Sequence, residues 1–302
     1  MQNVSICLTL RNRANLLKWC LESITRQDCD LSKVEVCITD GGSTDNLLTT
    51  IDQFSEKLTF RFCVADRRKA YIPVASNCPA NEINLATKFV ATSDYIIKTD
   101  PEIVFRDPWV ISEIVSCLER DDSCMYNART HFTREDGWFS SYDDIIRDYE
   151  KHYVVAENSL FHRSKFYFCS GFSRQRFVEM GGVEELMGLG VGYDDTLYRE
   201  VFRNRYGSYE KEITGQAIHL WHGANQSRST WEVANSRIFD YLKYDVISNV
   251  VRLDGQGHLI RLPEPQWANP EMLSKIYTIK NGQITKVDDV NDGSSRELEL
   301  PF

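Results

Sequence analysis

The feature that most constrains the fold is a regular alternation of strand-like and helical segments over the first hundred residues. The strand-like segments are short apolar runs, found at 4–10, 34–39, 58–64 and 95–98. Between them, apolar residues recur at helical spacing over 14–26, 46–54 and 80–90. Strands that alternate with helices of this length form βαβ units, which build a parallel sheet through right-handed crossovers. The sequence therefore predicts an α/β fold with a mostly parallel central sheet flanked by helices.

The second half of the chain has a looser pattern. Helices are expected over 109–118, 174–180, 194–205 and 231–246, and strands over 124–128 and 214–220. Turns at Asp254-Gly255 and Asn281-Gly282 predict two hairpins near the end. Residues 131–168 are rich in aromatic and charged residues without a clean period, and a long irregular stretch inside a domain is more often functional than idle.

The segments that directly follow the strands are the first places to look for a site, because ligands of open parallel sheets bind beyond the carboxyl ends of the strands. One such segment is Asp40-Gly41-Gly42-Ser43-Thr44-Asp45. A carboxylate at a strand end accepts hydrogen bonds from a base or ribose, and glycines allow close approach. The alternative is an ordinary polar turn that caps the next helix. The segment is not a phosphate loop, because it has neither a GxGxxG nor a GxxxxGK pattern.

Asp100 and Glu102 follow the fourth predicted strand. Two carboxylates one residue apart point the same way along an extended chain, so both can face one divalent cation. Oxygen ligands of this kind suit Mg²⁺ or Mn²⁺. The alternative interpretation is a solvated acidic turn.

Two further segments contain residues capable of chemistry. His219 and His222 close a strand-like run. A lone histidine there is usually packed or solvated, but two of the six histidines of the chain so close together raise the chance of a metal ligand. Asp194 and Asp195 end a glycine-rich segment at a predicted helix start. The helix dipole alone explains carboxylates there, but a carboxylate held in that position can also accept a proton from a hydroxyl.

The composition excludes some classes of partner. Thirty-five Lys and Arg against 44 Asp and Glu give a net charge of −9, whereas a nucleic-acid or anionic-membrane binder needs a basic face. No apolar run approaches the roughly 18 residues of a membrane span, and Arg11 and Arg13 stand where a signal peptide would be cleaved. The nine cysteines contain no CxxC pair. We therefore expect a cytoplasmic protein with no nucleic-acid partner, in which Cys7 and Cys37 are buried, reduced thiols.

In their order and placement, these segments resemble family 2 nucleotide-sugar glycosyltransferases, which have the Rossmann-like GT-A fold. The resemblance runs from Val4 to about His222. Its parts are the opening strand and helix, the Asp40–Asp45 loop, the strand that leads to Asp100-Pro101-Glu102, and the glycine-rich segments 181–183 and 190–197. The segment His219–His222 is similar to a metal-binding segment of the galactosyltransferase and chondroitin-polymerase branches. The chain departs from the family pattern by having Gly41, Glu102 and Asp194 in place of Asp, Asp and Glu.

The resemblance implies three groups of site residues. The residues implied to bind the nucleotide sugar are Leu10, Asn12, Arg13, Asp40, Gly41, Ser43, Lys98, Thr99 and Asp100. The residues implied to hold Mn²⁺ or Mg²⁺ are Asp100, Glu102, His219 and His222. Asp195, with Asp194 beside it, is implied to be the catalytic base.

The resemblance also implies the reaction. It is metal-dependent, inverting transfer of a sugar from a nucleoside diphosphate sugar, with UDP favoured, to a hydroxyl of a saccharide or glycolipid in surface polysaccharide biosynthesis. A retaining GT-A transferase, a sugar-nucleotide nucleotidyltransferase and a non-catalytic saccharide-binding domain stay open as alternatives. Acceptor sugars are expected to pack on aromatic rings of 131–168, with core packing as the equal alternative for each ring. The aromatic residues concerned are Trp138, Phe139, Tyr142, Tyr149 and Tyr153.

The expected domain organisation follows the same resemblance. Residues 1–225 form the GT-A domain, with a nucleotide-binding half at 1–106 and an acceptor and metal half at 107–225. Residues 226–302 form a small C-terminal extension of a helix and hairpins. Peripheral contact with the inner face of the membrane and homo-oligomer formation are both left open.

Overall fold

A computed structural model describes residues 1–72, 78–133, 139–154, 169–190, 192–207, 210–222 and 228–287. The strands are β1 Val4–Leu10, β2 Val34–Asp40, β3 Thr59–Val64, β4 Tyr95–Thr99, β5 Ile103–Phe105, β6 Met125–Thr133, β7 Tyr153–Val154, β8 Cys169–Ser173, β9 Glu210–His219, β10 Val251–Leu253, β11 Leu259–Arg261, β12 Tyr277–Lys280 and β13 Gln283–Lys286. The helices are α1 Ala14–Thr25, α2 Leu47–Asp52, α3 Ala80–Leu85, α4 Val110–Arg120, α5 Tyr142–Asp148, α6 Arg174–Glu179, α7 Asp194–Tyr206 and α8 Arg228–Leu242.

The main sheet has eleven strands within the described residues, in the order β13-β12-β3-β2-β1-β4-β8-β6-β9-β5, with β7 paired to β6. Its centre, β3-β2-β1-β4, is parallel. The register pairs Val4 with Val34 and Leu10 with Asp40, so the carboxyl ends of β1 and β2 are level. Every residue of β1 is buried, as expected for a strand covered on both faces. The predicted α/β fold with its parallel centre is confirmed.

The other side of the sheet is mixed. β8 runs antiparallel to β4, and β5 antiparallel to β9. The strands β5 and β8 were not predicted from the sequence, because β5 has only three residues and the Cys-Ser-Gly-Phe-Ser sequence of β8 has no strand-like alternation. In β5, the register pairs Ile103 with His219, which decides the geometry of the site described below.

The C-terminal segment joins the same molecule at two places. The expected hairpin at Asn281-Gly282 is β12–β13, and β12 adds antiparallel to β3 at the edge of the main sheet. The expected hairpin at Asp254-Gly255 is β10–β11, a separate two-stranded sheet. The helix expected over 231–246 is α8, which begins and ends a few residues earlier.

Two hydrophobic cores lie on opposite faces of the sheet. Alternate residues of β1 point to opposite faces, so Ile6 and Leu8 pack in one core with α1, whereas Cys7 packs in the other with α3 and α7. All nine cysteines are free thiols, and Cys7 and Cys37 are buried as expected. The helix expected over 80–90 is instead α3 followed by a π-helix, Ala86–Val90. No helix in the described part of the chain combines the length and the hydropathy that a bilayer crossing requires.

Candidate active site

The carboxyl end of β2 carries a network of hydrogen bonds around Asp40. The carboxylate of Asp40 accepts from the backbone N–H of Ser43 at 2.9 Å and from its hydroxyl at 2.6 Å. The hydroxyl oxygen of Ser43 accepts in turn from the backbone N–H of Asn12, which has a left-handed φ of 54°. The amide oxygen of Asn12 accepts from the backbone N–H of Thr44. The loops after β1 and β2 therefore hold each other in place, and burial raises the pKa of Asp40 although the Ser43 hydrogen bonds oppose the rise.

Arg67 lies against this loop and was not singled out in the sequence. A Cβ atom on Gly41 would lie 3.2 Å from the Arg67 guanidinium, so a glycine at this position lets the cation approach the backbone. The guanidinium also contacts the carboxylate of Glu82, whose side chain is almost completely buried. The sequence gives no sign of this pairing, because Glu82 lies in α3, 15 residues further along the chain.

The end of β4 contains an unusual buried cation. The side chain of Lys98 has no solvent exposure, and its ammonium donates to the carboxylate of Asp100 at 2.6 Å and to the carbonyl oxygen of Thr99 at 2.8 Å. Burying an ammonium group is unfavourable unless a partner compensates for the lost hydration. Leu10 and Thr99 are also buried.

Glu102, His219 and His222 form the cluster with the chemistry of a metal site. One ligand atom from each lies within 4.8 Å of the others. The Nε2 atom of His222 is 3.1 Å from Oε1 of Glu102, and that of His219 is 4.0 Å away. The pairing of β5 with β9 explains the arrangement, because the backbone N–H of Leu220 donates to the carbonyl oxygen of Glu102. Residues far apart in the sequence are thus brought together at one end of a short strand pair.

The expectation of an extended chain from Asp100 to Glu102 is wrong. The backbone N–H of Ile103 donates to the carbonyl oxygen of Asp100, which makes 100–103 a turn. Glu102 therefore turns toward the two histidines while Asp100 accepts from Lys98.

Burial sets the protonation states of this cluster. It raises the pKa of Glu102 to about 8, with the charge of Asp100 adding to the effect. It lowers the pKa of His219 to about 3 and lowers that of His222, and the neighbouring Arg13 cation disfavours a second positive charge. The Nη2 atom of Arg13 is 3.4 Å from Nδ1 of His222. Both imidazoles are therefore neutral near pH 7, and neutral imidazole is the form that binds metal ions.

The two aspartates at the start of α7 follow a strained turn. Tyr193, the residue before the helix, has a left-handed φ of 66°, which is unfavourable for a side chain of this size. Asp194 is buried, and its Oδ2 atom accepts from the thiol of Cys78 at 3.5 Å. Asp195 is half-buried, and its Oδ1 atom accepts from the backbone N–H of Thr196.

Two of the five aromatic residues expected to receive an acceptor are core residues instead. Tyr142 and Tyr149 are buried in a small core with Ile145, and Phe139 packs against it. Tyr142 at the start of α5 and Tyr149 directly after it share this core with Val104 of β5 and Ile218 of β9. Trp138 and the side chain of Tyr153 lie outside the described residues.

The fold and the site together define a class of protein. The sheet with its parallel centre, the polar loops at the carboxyl ends of β1, β2 and β4, and the Glu102–His219–His222 cluster beside them have the architecture of a GT-A fold. The chain belongs to glycosyl transferase family 2, whose family model matches residues 5–179. The match stops before α7, so the segment with Asp194 and Asp195 lies outside it.

Solved structures support the same fold. The mannosyltransferase PcManGT from Pyrobaculum calidifontis, in complex with GDP-Man and Mn²⁺, is 16% identical with a TM-score of 0.51 over 78% of this chain. S. aureus TarS 1–349 in complex with UDP is 14% identical with a TM-score of 0.53 over 73% of this chain. GalNAc-T7 with UDP, GalNAc and Mn²⁺ is 12% identical with a TM-score of 0.52 over 73% of this chain.

The likeness to these structures is one of fold alone. The matched region spans 61%, 61% and 43% of those three chains, so this chain covers less than two thirds of each. No sequence among curated proteins matches this chain significantly.

Proposed function

We propose that this protein is a metal-dependent glycosyltransferase that moves a sugar from a nucleoside diphosphate sugar to an acceptor hydroxyl with inversion of the anomeric centre. The observation that carries the proposal is the Glu102–His219–His222 cluster at the edge of the sheet where the Asp40 loop also lies. A nucleoside diphosphate sugar requires a metal ion at its diphosphate and a loop that binds its nucleobase. The cluster and the Asp40 loop have the chemistry for these two tasks.

The donor nucleotide binds at the Asp40 loop in this proposal. Asp40 accepts hydrogen bonds from the nucleobase or ribose, and Gly41 and Ser43 belong to the same binding loop. Asn12 and Arg13 line the same edge from the loop after β1, and Asp100 faces it from β4. UDP is the proposed nucleotide. The named neighbours were solved with GDP-Man and with UDP, so both nucleotides belong in the test.

The residues present fit a divalent cation. Two neutral imidazoles and one carboxylate form a nitrogen-rich set, which suits Mn²⁺ better than Mg²⁺ because Mg²⁺ prefers oxygen ligands and retained water. In this proposal Glu102, His219 and His222 would hold the ion together with Asp100, whose charge also raises the pKa of Glu102. The ion, when bound, would neutralise negative charge on the departing diphosphate.

Asp195 removes the acceptor proton in this proposal. A carboxylate held at the start of α7 accepts the proton from the acceptor hydroxyl as that oxygen attacks the anomeric carbon from the face opposite the diphosphate. One displacement of this kind inverts the configuration without a covalent intermediate. Asp194, fixed by Cys78, holds the backbone of the same turn.

The remaining parts of the proposal follow the family. The acceptor is a saccharide or lipid-linked saccharide used for surface polysaccharide, and the protein works in the cytoplasm with peripheral contact at the inner face of the membrane. The catalytic unit is residues 1–225, divided at 106, and residues 226–302 are its extension.

The test is to incubate the protein with UDP-, GDP- and dTDP-sugars, with Mn²⁺, Mg²⁺ or EDTA, and to measure donor hydrolysis and the melting temperature. We expect a melting-temperature rise with one nucleoside diphosphate plus Mn²⁺, exceeding that with either alone, and slow release of that nucleotide from its sugar. Product from an acceptor panel should show the inverted anomeric configuration by NMR. A retained configuration would overturn the inverting mechanism, and no response to any nucleotide would overturn the function.

A further inference from the structure

Helix α8 contacts the segment that leads to the proposed catalytic base, here called the base loop, whose described residues are 187–190 and 192–193. The side-chain Nδ2 of Asn235 donates to the carbonyl oxygen of Met187 at 3.1 Å and to that of Gly192 at 2.7 Å. Asn235 has no solvent exposure. One amide group therefore ties together two points of the glycine-rich loop, and the second point lies three residues before Asp195.

A second contact lies one helical turn further along α8. The ring of Phe239 packs on the ring of Tyr193, with centroids 5.5 Å apart. Residues four apart lie on the same face of a helix, so Asn235 and Phe239 hold the loop with one face of α8. Tyr193 is the residue with the left-handed φ of 66°. An unfavourable backbone conformation persists only where the surrounding structure enforces it, and here the surrounding structure is α8.

We infer that α8 is a positioning element for the catalytic base, and that Asn235 is its central positioning residue. The inference rests on the proposed role of Asp195 and assigns a function to a segment that the family model does not cover. Asn235 does not touch the reacting atoms. It acts by fixing the backbone at Met187 and at Gly192, and through Gly192 the direction in which Asp195 leaves the start of α7.

The donor residues have hydrogen bonds of their own. Asp40 and Ser43 are fixed by each other and by Asn12, and Asp100 is fixed by Lys98. Loss of the Asn235 amide should therefore reduce the rate of transfer and leave donor binding unchanged. A misplacement of about 1 Å at a reacting group lowers the rate by about 100-fold, and a loosened loop that still samples the correct position should lose about tenfold in kcat.

The chain offers a matched control at the other end of the same helix pair. Asn204 in α7 also donates from Nδ2 to two carbonyl oxygens, of Lys243 at 2.9 Å and Asp245 at 3.1 Å. It lies nine residues beyond Asp195, about 13 Å along the helix. Asn204→Ala therefore removes two hydrogen bonds, as Asn235→Ala does. They join α7 to residues just after α8 and do not involve the base loop.

The experiment compares N235A and N204A with the unmodified protein in two measurements. The first is kcat, donor KM and the nucleotide Kd. We expect kcat to fall about tenfold in N235A with the Kd unchanged, and both to be unchanged in N204A. The second is hydrogen exchange of the amides in 186–195, which should accelerate in N235A and not in N204A.

The two measurements separate the inference from the proposed function. Unchanged exchange at 186–195 in N235A overturns the inference whether or not the protein transfers sugar. Faster exchange with an unchanged kcat, or an equal fall of kcat in both variants, shows a structural role only and also overturns it. If the unmodified protein transfers no sugar from any donor, the proposed function fails and the positioning of a catalytic base fails with it.

Discussion

The donor edge consists of the Asp40–Asp45 loop with Asn12, Arg13 and Asp100. It and the base loop are held in place in different ways. Apart from the contact of Arg13 with His222, the hydrogen bonds at the donor edge join residues close in sequence or in consecutive loops. Ser43 donates to Asp40 at a separation of 3, and Lys98 to Asp100 at a separation of 2. The base loop depends on distant segments. Cys78 contacts Asp194 across 116 residues, and Asn235 reaches Gly192 across 43.

The same contrast holds for the segment that precedes the base loop. The amide of Asn84 accepts from the backbone N–H of Val183 and donates to its carbonyl oxygen, at a separation of 99. Asn249 donates to the carbonyl oxygen of Gly181 from the C-terminal side. Residues 181–183 are therefore clamped between α3 and the C-terminal segment. We expect the donor edge to tolerate changes elsewhere in the molecule and the base loop to be sensitive to them.

The largest effect is expected at Asp195. Asp195→Asn removes the proposed proton acceptor while keeping the size of the side chain, so kcat for transfer should fall by about 1,000-fold, within the usual range for general-base catalysis. The nucleotide Kd, measured by titration calorimetry, should stay the same, because the donor edge is independent of this loop. Asp194→Asn is the control variant, because it makes the same change at the neighbouring residue. Turnover within tenfold of the unmodified protein would remove Asp195 from the base role.

The next largest effect is expected at the metal cluster, which brings Glu102, beside the donor edge, together with the distant residues His219 and His222. Glu102→Gln or His222→Ala should weaken Mn²⁺ binding by at least about tenfold, since each removes one of three ligands. Removal of the metal with EDTA should abolish transfer by the unmodified protein. Mn²⁺ titration followed by electron paramagnetic resonance measures the change, with His258→Ala on the β10–β11 hairpin as the control. Equal Mn²⁺ affinity in all variants would rule this cluster out.

A smaller effect is expected at Asp40. Asp40→Asn removes a charged acceptor from the base-binding loop, so nucleotide binding should weaken by about tenfold, which corresponds to the loss of one hydrogen bond to a charged group. The loss should be the same with and without Mn²⁺, because Asp40 is not part of the metal cluster. A loss that appeared only with Mn²⁺ would contradict the separation of the two roles.

The smallest effect concerns stability near the clamped segment. Burial raises the pKa of Glu184 to about 7, from an ordinary value of 4.5, although backbone hydrogen bonds from Asn249 and Leu186 and the Arg252 charge oppose the rise and Glu185 adds to it. Between those two pH values the folded protein keeps a proton that the unfolded chain has lost. The free energy of unfolding therefore falls as the pH rises through this range.

Glu184→Gln, which cannot lose the proton, should show a flatter dependence of stability on pH from about 4.5 to 7. Urea unfolding at several pH values measures the slope, and the surface variant Glu271→Gln should keep the slope of the unmodified protein. A slope in Glu184→Gln equal to that of the unmodified protein would show that Glu184 does not titrate in this range.

Much of the fold was predictable because local periodicity reports burial. The apolar runs of β1 to β4 and the helical stripe of α1 indicated a parallel sheet directly, and the two hairpin turns located β10 to β13. The strand β8 was missed because its short, glycine-containing sequence becomes a strand only through pairing with β4. The buried positions of Tyr142 and Tyr149 were likewise not separable from exposed ones without the packing of α5.

The candidate site divides in the same way. Asp40, Asp100 and the histidine pair could be named because they follow strand-like segments. Arg67, Asn235 and Cys78 could not, because their significance comes from contacts with distant segments. The positions of Glu102, His219 and His222 depend on the register of β5 against β9, and a three-residue strand carries too little pattern to predict its partner.

The amino-acid sequence by itself determined the kinds of chemical groups that stand at the ends of the parallel strands, because strand length and apolar spacing decide where each strand stops. Only the tertiary structure decided which of those groups meet. That outcome depends on strand register and on the contacts of α8 with the base loop, which form between segments far apart in the chain and are stable only in the packed molecule.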